Sequence, residues 1–279
     1  MISNQIKTVL LLGLMSGLML GLGYVVGGNT GLLIMLIFSL LMNLAMYLFS
    51  HKLVLLMYQA KEADPNKYKE LHKIVEEVSK KAGIPKPKVY IIPSKNPNAF
   101  ATGPNPGSAV VAFSEGILGL LNHEELKGVA AHEISHIKNR DMLIMTIAVA
   151  LATIISYFAA AARFAAFFGD KDNDHSYLEL LILGILSPII ALLIQLAISR
   201  SREYIADETG ARLINNPEGL AKALLKLEEG NKKTPMHNGN EITSSLFIVN
   251  PFTGGAFFQL FSTHPPIELR VKRLRSLKI

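Results

Sequence analysis

The stretch 122–141, NHEELKGVAAHEISHIKNRD, decides how the chain reads. Asn122 followed three residues later by Glu125 has the form of a helix N-cap. The helix it opens runs through Leu126, Val129 and Ala130 into His132-Glu133-Ile134-Ser135-His136. Four residues is a little over one helical turn. Both imidazoles therefore lie on one face and can hold a single tetrahedral zinc, with Glu133 beside the open position. The competing reading is a charged helical segment ahead of a membrane span, with histidines at the interface.

Just beyond this stretch the chain turns apolar. Val9 to Val26, Leu32 to Phe49, Leu143 to Phe168 and Leu178 to Ile198 approach or exceed the roughly 20 residues that a helix needs to cross hydrocarbon, and no ionisable residue sits mid-run. Half of the 279 residues are hydrophobic, with a mean hydropathy of +0.32. The first two runs are parted only by a Gly-Gly-Asn-Thr turn with no small-residue cleavage site, so they read as a retained hairpin rather than a signal peptide. Gly13, Gly17 and Gly21 line one face of the first run, a pattern that permits close approach of a neighbouring helix.

Charge orients the hairpins. Lys7, Lys52, Lys61, Arg140, Arg200 and Arg202 flank the spans on one side, whereas the loop from Gly169 to Glu179 carries Asp170, Asp172 and Asp174 against Lys171 alone. Positive flanks mark the cytosolic side, which puts both termini there. The net charge of +6 follows from this bias, and no aromatic-interleaved basic stripe calls for nucleic acid. Cysteine is absent, so disulfides and thiolate ligands are excluded and any metal must use His, Asp or Glu.

The expected fold is mainly α and integral to the membrane: four transmembrane helices plus a cytosolic α+β zincin-like domain with a small sheet. Residues 1–52 and 143–199 form the hairpins, and 53–142 and 200–279 form two parts of one catalytic domain. Tyr68, Leu71, Val75 and Val78 mark an amphipathic helix ending near Gly83 and Pro85; Val89 to Ile92 and Ala109 to Phe113 read as strands.

A catalytic zinc needs a third protein ligand and leaves its fourth place to water. Glu203, in Arg202-Glu203-Tyr204-Ile205-Ala206-Asp207, is the candidate. Asp207, four residues on, shares its face and can accept a hydrogen bond from a ligand imidazole. By composition alone, an ordinary surface helix pairing these carboxylates with Arg200 or Arg212 is the favoured reading. Position separates the two readings. His136 lies seven residues before Leu143 and Glu203 five after Ile198, which places both roughly 7–11 Å from the membrane ends of their spans. An antiparallel hairpin then carries His132, His136 and Glu203 to one point, which favours Glu203 over Glu208, Glu218, Glu228 and Glu229.

The run from His132 to Asp141, with Ser199-Arg200-Ser201-Arg202-Glu203-Tyr204-Ile205-Ala206-Asp207, resembles the HtpX family of membrane zinc metalloproteases, bacterial relatives of the type I CAAX prenyl proteases. Asn98 to Gly103 and Ser262-Thr263-His264-Pro265-Pro266 also resemble segments of that family, in the same order. The resemblance implies one zinc per subunit and location in the bacterial inner membrane. It also implies cleavage of misfolded membrane or cytosolic polypeptides, as quality control under stress.

The residue types then divide the work. A zinc ion polarises the scissile carbonyl, while Glu133 takes a proton from the attacking water and returns it to the leaving amine. His264 is the candidate for stabilising the developing oxyanion. Asn98, Ala99, Phe100 and Ala101, set between prolines, form a candidate edge strand for pairing with an extended substrate; the alternative is a structural strand. Two other classes stand beside the protease. A small transporter would place ionisable groups inside its spans, where only Asn43 and Gln195 stand out. A non-catalytic zinc scaffold has no need of Glu133. No oligomeric state follows from the sequence.

Overall fold

The computed structural model describes residues 4–151, 200–235, 246–249 and 265–279. The first two apolar runs form α1 (Asn4–Met57), a helical run broken at Gly27 and Gly28. Gly28 has φ of 56°, which a side chain would strain, and there the chain folds back on itself. Asn43 Nδ2 donates to Ser16 Oγ across the two arms at 2.9 Å. The second arm, Gly27–Met57, has a mean hydropathy of 2.4 over its most apolar window and is long enough to cross a membrane. Most of its leucines and both its phenylalanines are exposed, as lipid-facing positions would be.

The expected glycine stripe does not make the contact between the arms. Among the described residues nothing comes within 4 Å of a Cβ added at Gly13, Gly17 or Gly21; the close approach is instead between Gly23 and Gly31, next to the turn. Two arms leaving a tight turn are nearest at their base, and it is there that backbone meets backbone. Of the expected second hairpin only the beginning, α5 (Met142–Leu151), falls within the described residues.

Between α1 and α5 the chain builds a mixed sheet from β1 (Lys61–Glu62), β2 (Lys88–Ile92), β3 (Ala99–Thr102) and β4 (Val110–Ser114), in the order β1-β2-β4-β3. β2 and β4 run parallel, while β1 and β3 are antiparallel to their neighbours. Side chains alternate between two buried faces, which accounts for strands that read as nearly continuous apolar runs. Val89, Ile91, Ala99, Ala101, Val111 and Phe113 join the helical core. Ile92, Phe100, Val110 and Ala112 meet Val54, Leu55 and Tyr58 at the end of α1, and Met145 and Val149 of α5. The sheet is thus a floor between the soluble helices and the roots of the apolar ones. Phe100, Tyr58 and Phe247 close this layer with edge-on contacts, ring centroids 4.9 and 5.6 Å apart for Tyr58–Phe247 and Phe100–Phe247.

On the other face lie α2 (Lys69–Ala82), α3 (Glu115–Leu120), α4 (His123–Lys138), α6 (Arg200–Ile214), α7 (Pro217–Lys233) and α8 (Ile267–Arg275). Helix α2 buries Leu71, Ile74, Val75 and Val78 on one face and stops at Gly83, whose φ of 72° forms a left-handed cap. Helix α4 is central and buried almost throughout. Two glycines let its partners touch its backbone. A Cβ on Gly128 would stand 2.7 Å from Leu220 N of α7, and one on Gly210 of α6 would stand 2.9 Å from His132 N. The second contact brings Glu203 against the motif helix.

Candidate metal centre

A capping box opens α4 at the N-cap the sequence indicates. Glu125 N donates to Asn122 Oδ1 at 3.0 Å, and Asn122 N to Glu125 Oε2 at 2.9 Å. Three turns later His132, Glu133 and His136 are 1%, 2% and 5% exposed, and Glu203 in the first turn of α6 is 4% exposed. Ligand atoms of His132, His136 and Glu203 all lie within 4.8 Å of one another. His132 Nε2 is 3.2 Å from His136 Nε2 and 3.6 Å from Glu203 Oε2; His136 Nε2 is 3.5 Å from Glu203 Oε1.

The outer nitrogens are held elsewhere. His132 Nδ1 is 2.9 Å from Asp207 Oδ1, and His136 Nδ1 is 3.1 Å from Asp141 Oδ2. An imidazole that donates through Nδ1 to a carboxylate presents a lone pair at Nε2. Two such lone pairs at 3.2 Å, facing a carboxylate in a buried site, repel one another unless a cation lies between them. The donor set of two nitrogens and one carboxylate fits zinc and leaves one tetrahedral position open.

Asp207 is gripped in turn by Arg270 of α8, through Nε to Oδ2 at 2.8 Å and Nη2 to Oδ1 at 2.7 Å. Burial alone would raise the Asp207 pKa, but the Arg270 charge and hydrogen bonds hold it below the usual carboxylate range. Burial lowers His132 and so favours the neutral, ligating ring. For His136, burial pulls downward but is outweighed by the Asp141 hydrogen bond and the Glu203, Asp141 and Glu133 carboxylates, giving about 9. A cation's charge opposes that protonation, so metal binding releases a proton there. Burial pushes Glu133 up to about 8; Glu203 adds to the rise, while His136, Arg270 and a hydrogen bond from the Ala101 N–H oppose it.

That last bond joins the centre to β3, the edge strand of the sheet. Asn98, fully buried, does not face outward: its Nδ2 donates to Val249 O at 2.7 Å. Ile248 N donates to Ala99 O at 3.2 Å, so residues 246–249 run beside the first part of the edge. Phe100 points to the opposite face, toward Tyr58 and Phe247. His264 lies outside the described residues. The carboxylates passed over at the sequence level make exposed ion pairs, Glu208 with Arg212, Glu218 with Arg275, Glu228 with Lys232 and Glu229 with Lys233. His72 and His123 brace α2, against Ala63 O and Glu70 respectively.

Two residues at the centre were not singled out from the sequence, Asp141 and Arg270. Asp141 is placed by the end of α4, where Arg140 takes φ of 57° and Asp141 N returns to His136 O at 2.9 Å. This is the Schellman stop, with arginine where glycine is usual, and its missing glycine removed the local signal. Arg270 reaches Asp207 across 63 residues of chain, and no periodicity encodes that meeting.

Two imidazoles and a carboxylate meeting beside a buried glutamate, on a capped helix under a small mixed sheet, define a metallopeptidase. Residues 65–278 match the profile of Peptidase family M48, and the chain belongs to that family. It is similar to the "Protease HtpX homolog" of Pyrococcus furiosus, 52% identical over 275 residues that cover 98% of this chain and 95% of that protein. A "Protease HtpX homolog" of Desulfatibacillum aliphaticivorans is 50% identical over 276 residues, covering 97% and 89%. The fold also resembles the crystal structure of S. mikatae Ste24p, with a TM-score of 0.53 at 20% identity over 97% of this chain and 65% of that one. The kinship expected from the motifs therefore holds along nearly the whole length, and the chain is a membrane-bound metalloprotease.

Proposed function

We propose that this chain is a zinc-dependent endopeptidase in which His132, His136 and Glu203 hold the metal and Glu133 is the general base and acid. The observation that carries the reading is the convergence of two imidazole Nε2 atoms and the Glu203 carboxylate in a buried site, each ring oriented from behind by an aspartate. When bound, zinc supplies a Lewis acid that lowers the pKa of water and polarises the scissile carbonyl. Glu133 sits alongside, where it can take a proton from water and hand it to a leaving amine; burial raises its pKa, and a bound cation would draw it back down toward the range a general base needs. Asp207 and Asp141 act through the ligands, by keeping their Nε2 atoms deprotonated.

The substrate would lie extended along β3. Asn98, Ala99, Phe100 and Ala101 supply that edge: Asn98 and Phe100 fix it from within, and the added strand would run along the backbone of Ala99 and Ala101, with the Ala101 N–H kept by Glu133. A substrate strand reaching Ala99 must displace or continue residues 246–249. His264 would stabilise the oxyanion. Pairing through backbone gives little sequence preference, which suits disposal of misfolded membrane and cytosolic polypeptides. Hairpins at 1–52 and 143–199 would hold the catalytic parts, 53–142 and 200–279, on the cytosolic face of a bacterial inner membrane, with both termini inside.

The test is a casein digestion by detergent-purified protein, wild type against Glu133→Ala, with bound metal quantified in each. Metal in both and cleavage only by wild type is the expected result. Equal cleavage by both would end the reading.

A further inference from the structure

We propose that Arg270 is a positioning residue of the metal centre, which fixes the orientation and tautomer of His132 by clamping Asp207. The inference rests on the reading of His132 as a metal ligand. Arg270 is fully buried and meets Asp207 with two parallel hydrogen bonds, Nε to Oδ2 at 2.8 Å and Nη2 to Oδ1 at 2.7 Å. Asp207 Oδ1 is also the acceptor that faces His132 Nδ1 at 2.9 Å. Both oxygens are thus occupied, and the carboxylate plane cannot rotate without breaking a charged contact. A third donor, Nη1, is anchored on Ile248 O at 2.7 Å, so the guanidinium is itself held in place. A point charge such as lysine cannot reproduce this fork.

Charge alone argues in the opposite direction. Arg270 Nη1 lies 3.6 Å from Glu203 Oε2, and its Nη2 lies 3.5 Å from His132 Nδ1. A buried cation that close to a metal site repels the metal and weakens its binding. If Arg270 acted only by its charge, removing it would tighten metal binding. If it acts by orientation, removing it frees Asp207 to turn away and lets His132 carry its proton on Nε2, where it cannot ligate. The two accounts predict opposite signs.

The experiment measures zinc affinity by chelator competition, and the visible absorption of the cobalt-substituted protein, for full-length wild type, Arg270→Met, Arg270→Lys, His132→Ala and Leu224→Ala. Leu224 is a buried core residue of α7 and serves as the control for lost stability. Arg270→Met is expected to weaken zinc binding about 10- to 100-fold and to shift the cobalt bands, with Arg270→Lys recovering part of both and Leu224→Ala changing neither. Unchanged or tighter zinc binding in Arg270→Met with a wild-type cobalt spectrum overturns the proposal, as does an equal loss in Leu224→Ala. Should Arg270→Met fail to fold, Arg270→Lys decides alone, and wild-type affinity and spectrum there overturn it. Absence of metal from wild type, or full retention in His132→Ala, would instead remove the metal reading beneath it.

Discussion

His136 Nδ1 lies 3.1 Å from Asp141 Oδ2, and Asp141 is the last residue before α5 begins its apolar run. One proposed ligand of the centre is therefore steered by the root of a candidate membrane helix. Its partner ring, His132, is steered from the opposite side by Asp207 on α6. The left-handed turn at Arg140 does the aiming, because it folds the chain back so that Asp141 returns to the last turn of α4.

Replacing Asp141 with alanine should leave His136 free to rotate and to change tautomer. Metal affinity is expected to fall about 10- to 100-fold, as for other outer partners of ligand histidines. Asp141→Asn, which keeps an acceptor oxygen, should lose less. Chelator competition checks both, and wild-type affinity in Asp141→Ala would show that the contact is incidental.

Gly210→Ala tests how closely α6 must approach α4. The added Cβ would stand 2.9 Å from both the Ala131 carbonyl carbon and His132 N, all backbone, so the helices must part. A stability loss of about 1–3 kcal/mol is expected from overpacking, and metal should be lost with it, because Glu203 lies two turns away on the same helix. A thermal melt alongside metal analysis reads both effects.

The absence of cysteine makes topology directly testable, since single cysteines can be introduced without a background. Cysteine at Asn29, in the turn of α1, is expected to react with a membrane-impermeant maleimide added to intact cells. Cysteine at Lys232, near the exposed end of α7, should react only after permeabilisation. The reverse pattern would invert the proposed orientation.

What the sequence made legible was local. The N-cap at Asn122, the three- and four-residue spacing in α2 and the prolines that bracket β3 are each local signals, and each element appears within a residue or two of its expected place. Glu203 does meet His132 and His136, as the arithmetic on helical rise suggests, although the span end used in that arithmetic lies outside the described residues. The placement of Asp141 was hidden because an arginine fills a glycine's position, and that of Arg270 because its partner lies far off in sequence. The Gly13, Gly17 and Gly21 stripe shows the limit of such spacing: it marks which face is small, and among the described residues nothing approaches it.

His132, His136 and Glu203 are proposed to grip one divalent cation together. Metal content of purified wild type and Glu203→Ala, measured by mass spectrometry after exposure to a fixed free zinc concentration, tests it most directly. About one zinc per wild-type chain and a small fraction of that in Glu203→Ala is the expected result. Equal occupancy in the two proteins would contradict it.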